Sequence, residues 1–303
     1  MSASSTPGTT RTVDLGGPVH VVDFGGNPDG PAVVLVHGLG GSHLNWDLLA
    51  PRLTGAARVV ALDLPGFGRS EPGERTASVR ANVAALARFL EQEVGEPAVL
   101  VGNSMGGMIS ILLTGERPDL VSGLVLLDPA IPGPRRALDP LVALTFALYA
   151  VPLVGERVMR RNRTRQSATA RVHQTLRLVG VDPASLPADL LDRSVSLVEE
   201  REDVEGMDRA FLAAARSLLR VLVDPRRYRR AMRSIAVPVL LVQGDRDRLV
   251  PVAAARAIAA QHPAWTYVEL PGVGHVPMLQ VPERVADEVL AWLTVTAAAD
   301  APA

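Results

Sequence analysis

The chain has 303 residues, of which 48% are hydrophobic and 21% charged, so it can bury the core of one or two domains. Its formal net charge of -1 argues against nucleic-acid binding by the chain as a whole. The lack of cysteine excludes disulfides, thiolate metal sites and a cysteine nucleophile. All 31 basic residues are arginines, which excludes a Schiff-base or P-loop lysine.

Neither a secretory signal nor a membrane span is predicted. Residues 1–10 carry no basic side chain and lead into no apolar run. The longest apolar stretch, residues 141–154, contains Pro152 and is too short to cross a bilayer. We therefore expect a cytoplasmic protein without stable membrane insertion. This stretch, with Phe146 and Tyr149, is predicted to form the inner face of a helical cap and is a candidate wall of an acyl pocket.

Strand and helix patterns alternate along the first 130 residues. Continuous apolar runs such as residues 32–36 are typical of buried parallel strands. The predicted strands are a hairpin over 12–24 broken at Gly16-Gly17, then 32–36, 58–62, 97–101 and 124–127; the predicted helices are 42–50, 78–94 and 105–114. This alternation predicts a mostly parallel sheet covered by helices on both faces.

A helical insertion is predicted to interrupt the sheet. Residues 132–233 show no convincing strand and read as several helices separated by proline and glycine. The alternation then resumes, with strands over 237–242 and 266–270 and helices over 252–261 and 282–294. We therefore predict one α/β core domain formed by residues 1–131 and 234–303, with residues 132–233 inserted as a helical cap.

The charge distribution agrees with this division. Residues 132–233 contain 19 arginines and 12 acidic residues, a balance of +7, whereas the rest of the chain has a balance of -8. One interpretation is that these arginines lie on solvent-exposed helix faces and have no further role. The other is that a basic cap attracts anionic substrates or a membrane surface.

Residues 102–106, Gly-Asn-Ser-Met-Gly, have the pattern G-x-S-x-G between an apolar strand and a helix. A serine in this context lies on a tight strand-to-helix turn that raises its hydroxyl above the sheet edge. The small flanking residues allow the backbone to crowd there. The helix N-terminus favours negative charge developing in front of the serine. Ser104 is therefore the candidate nucleophile.

A serine nucleophile needs a base and an orienting acid. At serine sites of this strand–turn–helix kind the chain order is nucleophile, acid, histidine, and His275 satisfies it best among the six histidines. We predict Asp247 as the acid, in the turn after the strand that precedes the histidine, and a structural role for Asp245. Asp128, which ends an earlier strand, is a rival acid whose alternative role is structural.

The chain resembles α/β-hydrolase-fold serine hydrolases, the capped group of esterases, lipases, haloperoxidase-like enzymes and carbon–carbon bond hydrolases. The resemblance covers residues from about 32 to 295 outside the insertion and is carried by 37–41 (HGLGG), 63–70 (DLPGFGRS), the Ser104 turn, the Asp247 turn and the His275 loop. It implies an α/β-hydrolase fold with an eight-stranded sheet and a cap between strands 6 and 7. It also implies that the backbone N–H groups of Leu39 and Met105 form the oxyanion hole.

The expected activity is hydrolysis of small to medium apolar carboxylic esters through an acyl-enzyme, with a small-molecule substrate and no metal or organic cofactor. Haloalkane dehalogenases and epoxide hydrolases of this fold use aspartate where this chain has Ser104. Carbon–carbon bond hydrolases, thioesterases and lactonases are alternatives, as is a non-catalytic ligand-binding protein. The carbon–carbon bond hydrolases usually carry an aromatic residue where this chain has Val276. The remaining pocket candidates are His37, Gly38, His43 and Val276.

Overall fold

The computed structural model describes residues 8–133 and 139–300, and an eight-stranded sheet forms their centre. The spatial order is β1-β2-β4-β3-β5-β6-β7-β8. β2 runs antiparallel to both of its neighbours, and the other five pairings are parallel. The strands are β1 Thr9–Asp14, β2 Pro18–Gly26, β3 Ala32–Val36, β4 Arg58–Leu62, β5 Ala98–Asn103, β6 Val121–Leu127, β7 Val239–Gly244 and β8 Thr266–Leu270.

Helices cover both faces of this sheet, which explains why the central strands are apolar throughout. Along β3, Val34 points into one hydrophobic cluster and Val33 into the other. The helices are α1 Ala50–Leu53, α2 Val79–Phe89, α3 Met105–Glu116, α4 Pro140–Ala150, α5 Val154–Arg165, α6 Ala168–Leu178, α7 Ala188–Glu200, α8 Met207–Val223, α9 Arg226–Ser234, α10 Val252–Gln261, α11 Pro277–Gln280 and α12 Pro282–Asp300.

The helix predicted over residues 42–50 is wrong. A 3-10 turn, His43–Trp46, and the single turn α1 replace it. Ser42 and Asn45 close a capping box around the turn, so the side chains satisfy backbone groups that a longer helix would use. The buried carboxylate of Asp63 accepts the His43 backbone N–H at 2.6 Å, which fixes the turn against the sheet.

Helices α4 to α9 all lie between β6 and β7, and within the described part of this stretch there is no strand. We call residues 139–234 the helical segment. Its helix α8 packs against the core loop that contains Gly66, since a Cβ added at Gly66 would lie 2.6 Å from the Ala210 Cβ. Of the predicted core and insertion, residues 1–7, 134–138 and 301–303 lie outside the described residues.

The prediction that residues 141–154 form an inner, buried face is wrong for the aliphatic residues. Leu141, Leu144 and Leu148 are exposed, and Val142 is the only buried residue of the α4 helix. Phe146 and Tyr149 are half-buried. Helix α4 therefore presents an apolar surface outward while its aromatic residues face the protein.

Candidate active site

Ser104 occupies a sharp turn between β5 and α3. Its φ is 54°, a value uncommon for residues other than glycine. The turn is crowded: a Cβ on Gly106 would lie 2.0 Å from the Val36 carbonyl oxygen, and a Cβ on Gly102 would lie 2.7 Å from Gly107 Cα. Glycine is thus required on both sides of the serine, and the whole G-x-S-x-G pattern has a steric cause. Ser104 itself is 9% exposed.

Asp247 and His275 form a buried hydrogen-bonded pair. The distance from His275 Nδ1 to Asp247 Oδ2 is 2.7 Å. The other carboxylate oxygen of Asp247 accepts the backbone N–H groups of Leu249 at 2.7 Å and Val250 at 2.9 Å. These two bonds fix the carboxylate in the turn after β7. A neutral His275 with its proton on Nδ1 then has Nε2 available to accept another proton.

Asn103, which the sequence analysis did not single out, joins the histidine loop to the serine turn. Its Nδ2 donates to the carbonyl oxygens of Leu127 and His275, both at 3.0 Å. The helical segment holds the same loop from the other side, since the His275 N–H donates to the Val179 carbonyl at 2.8 Å. Within the described residues, Ser104 Oγ and His275 Nε2 are not hydrogen-bonded to each other, and such contacts often tighten only when substrate binds.

Asp128 lies beside the Asp247–His275 pair. Its Oδ1 accepts from Gln243 Nε2 at 2.8 Å and from the Gly244 N–H at 2.9 Å. Gln243 Nε2 also donates to Asp247 Oδ2 at 3.2 Å, so the amide connects the two carboxyl groups. Burial, together with the nearby negative charge of Asp247, raises the pKa of Asp128 well above its ordinary value. Asp128 therefore lies behind the pair, in surroundings that favour its neutral form more than water does.

Asp245 joins two loops of the site and does not contact His275 in the hydrogen bonds of the described residues. Its Oδ1 accepts the Gly272 N–H at 2.7 Å, which ties the turn after β7 to the loop after β8. This bond gives Asp245 a structural position and aligns the two loops that carry Asp247 and His275.

The loop over residues 37–41 passes directly beside the serine. A Cβ on Gly38 would lie 2.9 Å from Ser104 Cβ, so only glycine allows this approach. His37 Nδ1 donates to the Gly38 carbonyl at 2.8 Å, and its Nε2 accepts the Leu64 N–H at 3.0 Å. Both bonds require a neutral ring, and complete burial lowers the pKa of His37 to about 4. Leu39 is half-buried, and Met105 begins α3 directly after the serine.

The side chain of His43 contacts the buried carboxylate of Asp63. His43 and His20 place their Nδ1 atoms 2.9 and 3.0 Å from Asp63 Oδ2. The Arg69 N–H also donates to this oxygen, at 2.9 Å. Although burial alone would raise the pKa of Asp63, the hydrogen bonds from both histidines hold it well below its ordinary value. In the 63–70 motif, the buried carboxylate of Asp63 therefore holds together the chain segments that contain His20, His43 and Arg69.

The other pocket candidates occupy different surroundings. Phe146 and Tyr149 contact edge to face, and Tyr149 contacts Phe211 with ring centroids 5.5 Å apart. Phe211 in turn lies 3.2 Å from where a Cβ on Gly40 would be. An aromatic series therefore leads from α4 to the loop beside Ser104. Val276 is buried in the hydrophobic cluster on the α12 face of the sheet.

Two groups of side chains have the composition of metal ligands. One is His20, His43 and Asp63, and the other is Asp128, Asp247 and His275; within each group the candidate ligand atoms lie within 4.8 Å of one another. In both groups hydrogen bonds join a histidine to an aspartate directly.

Two surface clefts are also present, with volumes of about 240 and 450 Å³, and their walls do not include Ser104, Asp247 or His275. The first lies between α9 and α10, and the second lies along α8 beside Ala150.

Comparison with known proteins agrees with this architecture. A lipase, LipV of Mycobacterium tuberculosis, is 43% identical over 114 residues, which are 37% of this chain and 42% of that protein. The dihydrolipoyllysine-residue acetyltransferase component of the acetoin cleaving system of Pseudomonas putida is 29% identical over 270 residues, covering 88% of this chain. The match spans 65% of that relative, so the chain covers less than two thirds of either protein's length.

The fold is shared with solved structures. Haloalkane dehalogenase DbeA from Bradyrhizobium elkani superimposes with a TM-score of 0.81 over 96% of this chain and 99% of that one, at 22% identity. The sequence pattern of the alpha/beta hydrolase family matches residues 33–288. The eight-stranded sheet, the order of its strands and this match together place the chain in the alpha/beta hydrolase family.

Proposed function

We propose that this chain is a serine hydrolase of carboxylic esters, with Ser104 as nucleophile, His275 as base and Asp247 as the orienting acid. The observation that carries the proposal is the 2.7 Å hydrogen bond between His275 Nδ1 and Asp247 Oδ2 in a loop tied to the serine turn. Membership of a hydrolase family and the similarity to a protein named a lipase support it.

The reaction proceeds in two stages. His275 Nε2 takes the Ser104 proton as the hydroxyl attacks the ester carbonyl, and then gives that proton to the leaving alcohol. The same nitrogen then takes a proton from the water that attacks the acyl-enzyme, and returns it to Ser104 Oγ as the carboxylic acid is released. Asp247 holds the proton on Nδ1 and stabilises the imidazolium that forms in each stage.

In this proposal two backbone N–H groups donate hydrogen bonds to the negatively charged oxygen of the tetrahedral intermediate. Met105 N–H is at the start of α3, where backbone donors lack partners within the helix. Leu39 N–H follows Gly38, whose close approach to Ser104 brings the loop to the reacting carbonyl. One such donor contributes on the order of 3 kcal/mol to the transition state. Helices of segment 139–234 act as the cap, and the small-molecule substrate enters between cap and core.

The test is hydrolysis of p-nitrophenyl esters from acetate to palmitate. We expect turnover by the wild type, loss of about a million-fold in kcat for Ser104→Ala, and an optimum in acyl length that reports the size of the pocket. Ser110→Ala is the matched control, because Ser110 is a buried serine of helix α3, the helix that directly follows Ser104. Its Oγ donates to the Gly106 carbonyl at 2.9 Å. Equal rates for wild type and Ser104→Ala would overturn the proposal. Turnover of thioesters alone would replace esters as the substrate class.

A further inference from the structure

The outer face of α4 carries a stripe of exposed aliphatic side chains. Leu141 is 59% exposed and Leu144 57%, and Leu148 follows at the next helical spacing. Val151 and Leu153, which is 68% exposed, continue the surface into the turn before α5. Five of the seven large hydrophobic residues that are exposed in the described part of the chain lie in these thirteen positions. A contiguous patch of this kind marks an interaction site.

Contacts from helix α8 hold the end of α4 and the turn that follows it. Arg216 of α8 donates to the carbonyl oxygen of Tyr149 at 3.0 Å and to that of Val151 at 3.3 Å. It also forms an ion pair with Glu156 at 2.9 Å. One guanidinium therefore fixes the end of α4, the turn and the start of α5. On the inner side of α4, Tyr149 packs on Phe211.

A cluster of positive charge directly follows the stripe. Helix α5 contains five exposed arginines at 157, 160, 161, 163 and 165. Arg163 lies 3.7 Å from Asp208, and across residues 8–133 and 139–300 no carboxylate pairs with the other four. The one acidic residue of the helix, Glu156, is already bound to Arg216. The α5 surface is therefore strongly cationic and adjoins exposed leucines.

We propose that α4 and α5 dock this chain on an anionic lipid bilayer, with the leucines at the acyl boundary and the arginines among the headgroups. Aliphatic residues beside arginines suit this interface, because each kind of side chain meets its own layer. A second copy of the chain fits less well, since a two-fold contact would bring arginines against arginines. In the described residues no single helix is long and apolar enough to span a membrane; α4 and α5 meet that criterion only together, and the chain bends by 112° between them. In this proposal both helices lie along the surface.

Vesicle flotation of the full-length protein tests the proposal without any turnover, so its outcome is independent of the proposed function. Vesicles of phosphatidylcholine are compared with vesicles that also contain phosphatidylglycerol, at low and high salt. We expect binding to the anionic vesicles that salt weakens. Leu144→Glu is expected to weaken it at least about tenfold. Val295→Glu, an exposed aliphatic residue on α12 with 69% exposure, is the matched control and should bind as the wild type does.

The charge component has its own pair of variants. Arg160→Gln with Arg161→Gln should weaken binding about 30-fold, since each arginine near an anionic surface contributes on the order of 1 kcal/mol. Arg229→Gln with Arg230→Gln is the control on α9, a helix that has five arginines and packs on α3. Circular dichroism and Tm verify that each variant is folded. Absence of wild-type binding, equal losses in test and control variants, or a dimer that Leu144→Glu dissociates would overturn the proposal.

Discussion

Acidification should destabilise this protein through His37, whose buried ring is held neutral. The ring donates from Nδ1 to Gly38 and accepts at Nε2 from the Leu64 N–H, so a second proton would replace an acceptor with a donor. In the unfolded chain the imidazole titrates near its ordinary pKa of 6.5, whereas in the folded protein burial lowers the pKa to about 4. Between these values the unfolded state binds more protons, so the free energy of unfolding falls as the pH falls.

The magnitude follows from the same two pKa values. A tenfold change in proton affinity corresponds to about 1.4 kcal/mol, so the full interval from 6.5 to about 4 corresponds to about 3 kcal/mol of stability lost. This is a large share of the 5 to 15 kcal/mol typical of a folded domain, roughly a fifth or more. Most of the loss should occur before ordinary carboxylates are protonated.

Urea unfolding at several pH values between 4 and 7 measures this effect. In His37→Gln the side-chain oxygen can accept the Leu64 N–H without titrating, so the decrease over this range should become smaller by about 3 kcal/mol. Phe67→Leu is the control: Phe67 is buried and packs edge-on against His37 with ring centroids 5.6 Å apart, so the variant loses stability but retains the titrating ring. An equal pH dependence in wild type and His37→Gln would refute the reasoning.

Four further substitutions test individual contacts. Asp247→Asn should lower kcat for ester hydrolysis about 10⁴-fold by changing the histidine tautomer. Asp128→Asn should remain within about tenfold, because the carboxamide oxygen can still accept from Gln243 Nε2 and the Gly244 N–H. Equal losses in the two variants would contradict these assignments. Gly38→Ala should lower both kcat and Tm, since its Cβ would lie 2.9 Å from Ser104 Cβ and the loop or the serine turn would have to shift; unchanged kinetics and Tm would contradict this close approach. Tyr228→Phe should cost about 1 kcal/mol in urea unfolding, because the buried hydroxyl donates to the Ala130 carbonyl at 3.1 Å, and a neutral result would mean that this bond adds nothing.

The sheet was predictable from sequence because its central strands are short apolar runs separated by turns. The predicted bounds of β3, β4 and β8 are confirmed, and the eight-stranded, mostly parallel sheet is as expected. Strand β6 begins three residues earlier than predicted, and β7 begins and ends two residues later, since Val121 and Gly244 lie at ends where pairing, rather than hydrophobicity, defines the strand. The turn at residues 43–46 was missed because Asp63, distant in sequence, determines its geometry.

The site shows the same division between local and distant causes. The serine turn is a local pattern of glycines, and each has a steric reason in the structure. The contact of Asn103 with the His275 carbonyl joins positions 172 residues apart, and no local signal indicates it. The outward direction of Leu141 and Leu144 was also hidden, because α4 is apolar on all sides and its sequence has no periodicity that identifies a buried face.

The reactivity of Ser104 is the central claim, and labelling with a fluorophosphonate measures it most directly, because only an activated serine reacts rapidly with this reagent. Intact-mass analysis should show one adduct per chain, peptide mapping should place it on Ser104, and Ser104→Ala should remain unlabelled. A wild-type protein that stays unlabelled, or that carries its adduct on another serine, would contradict the account.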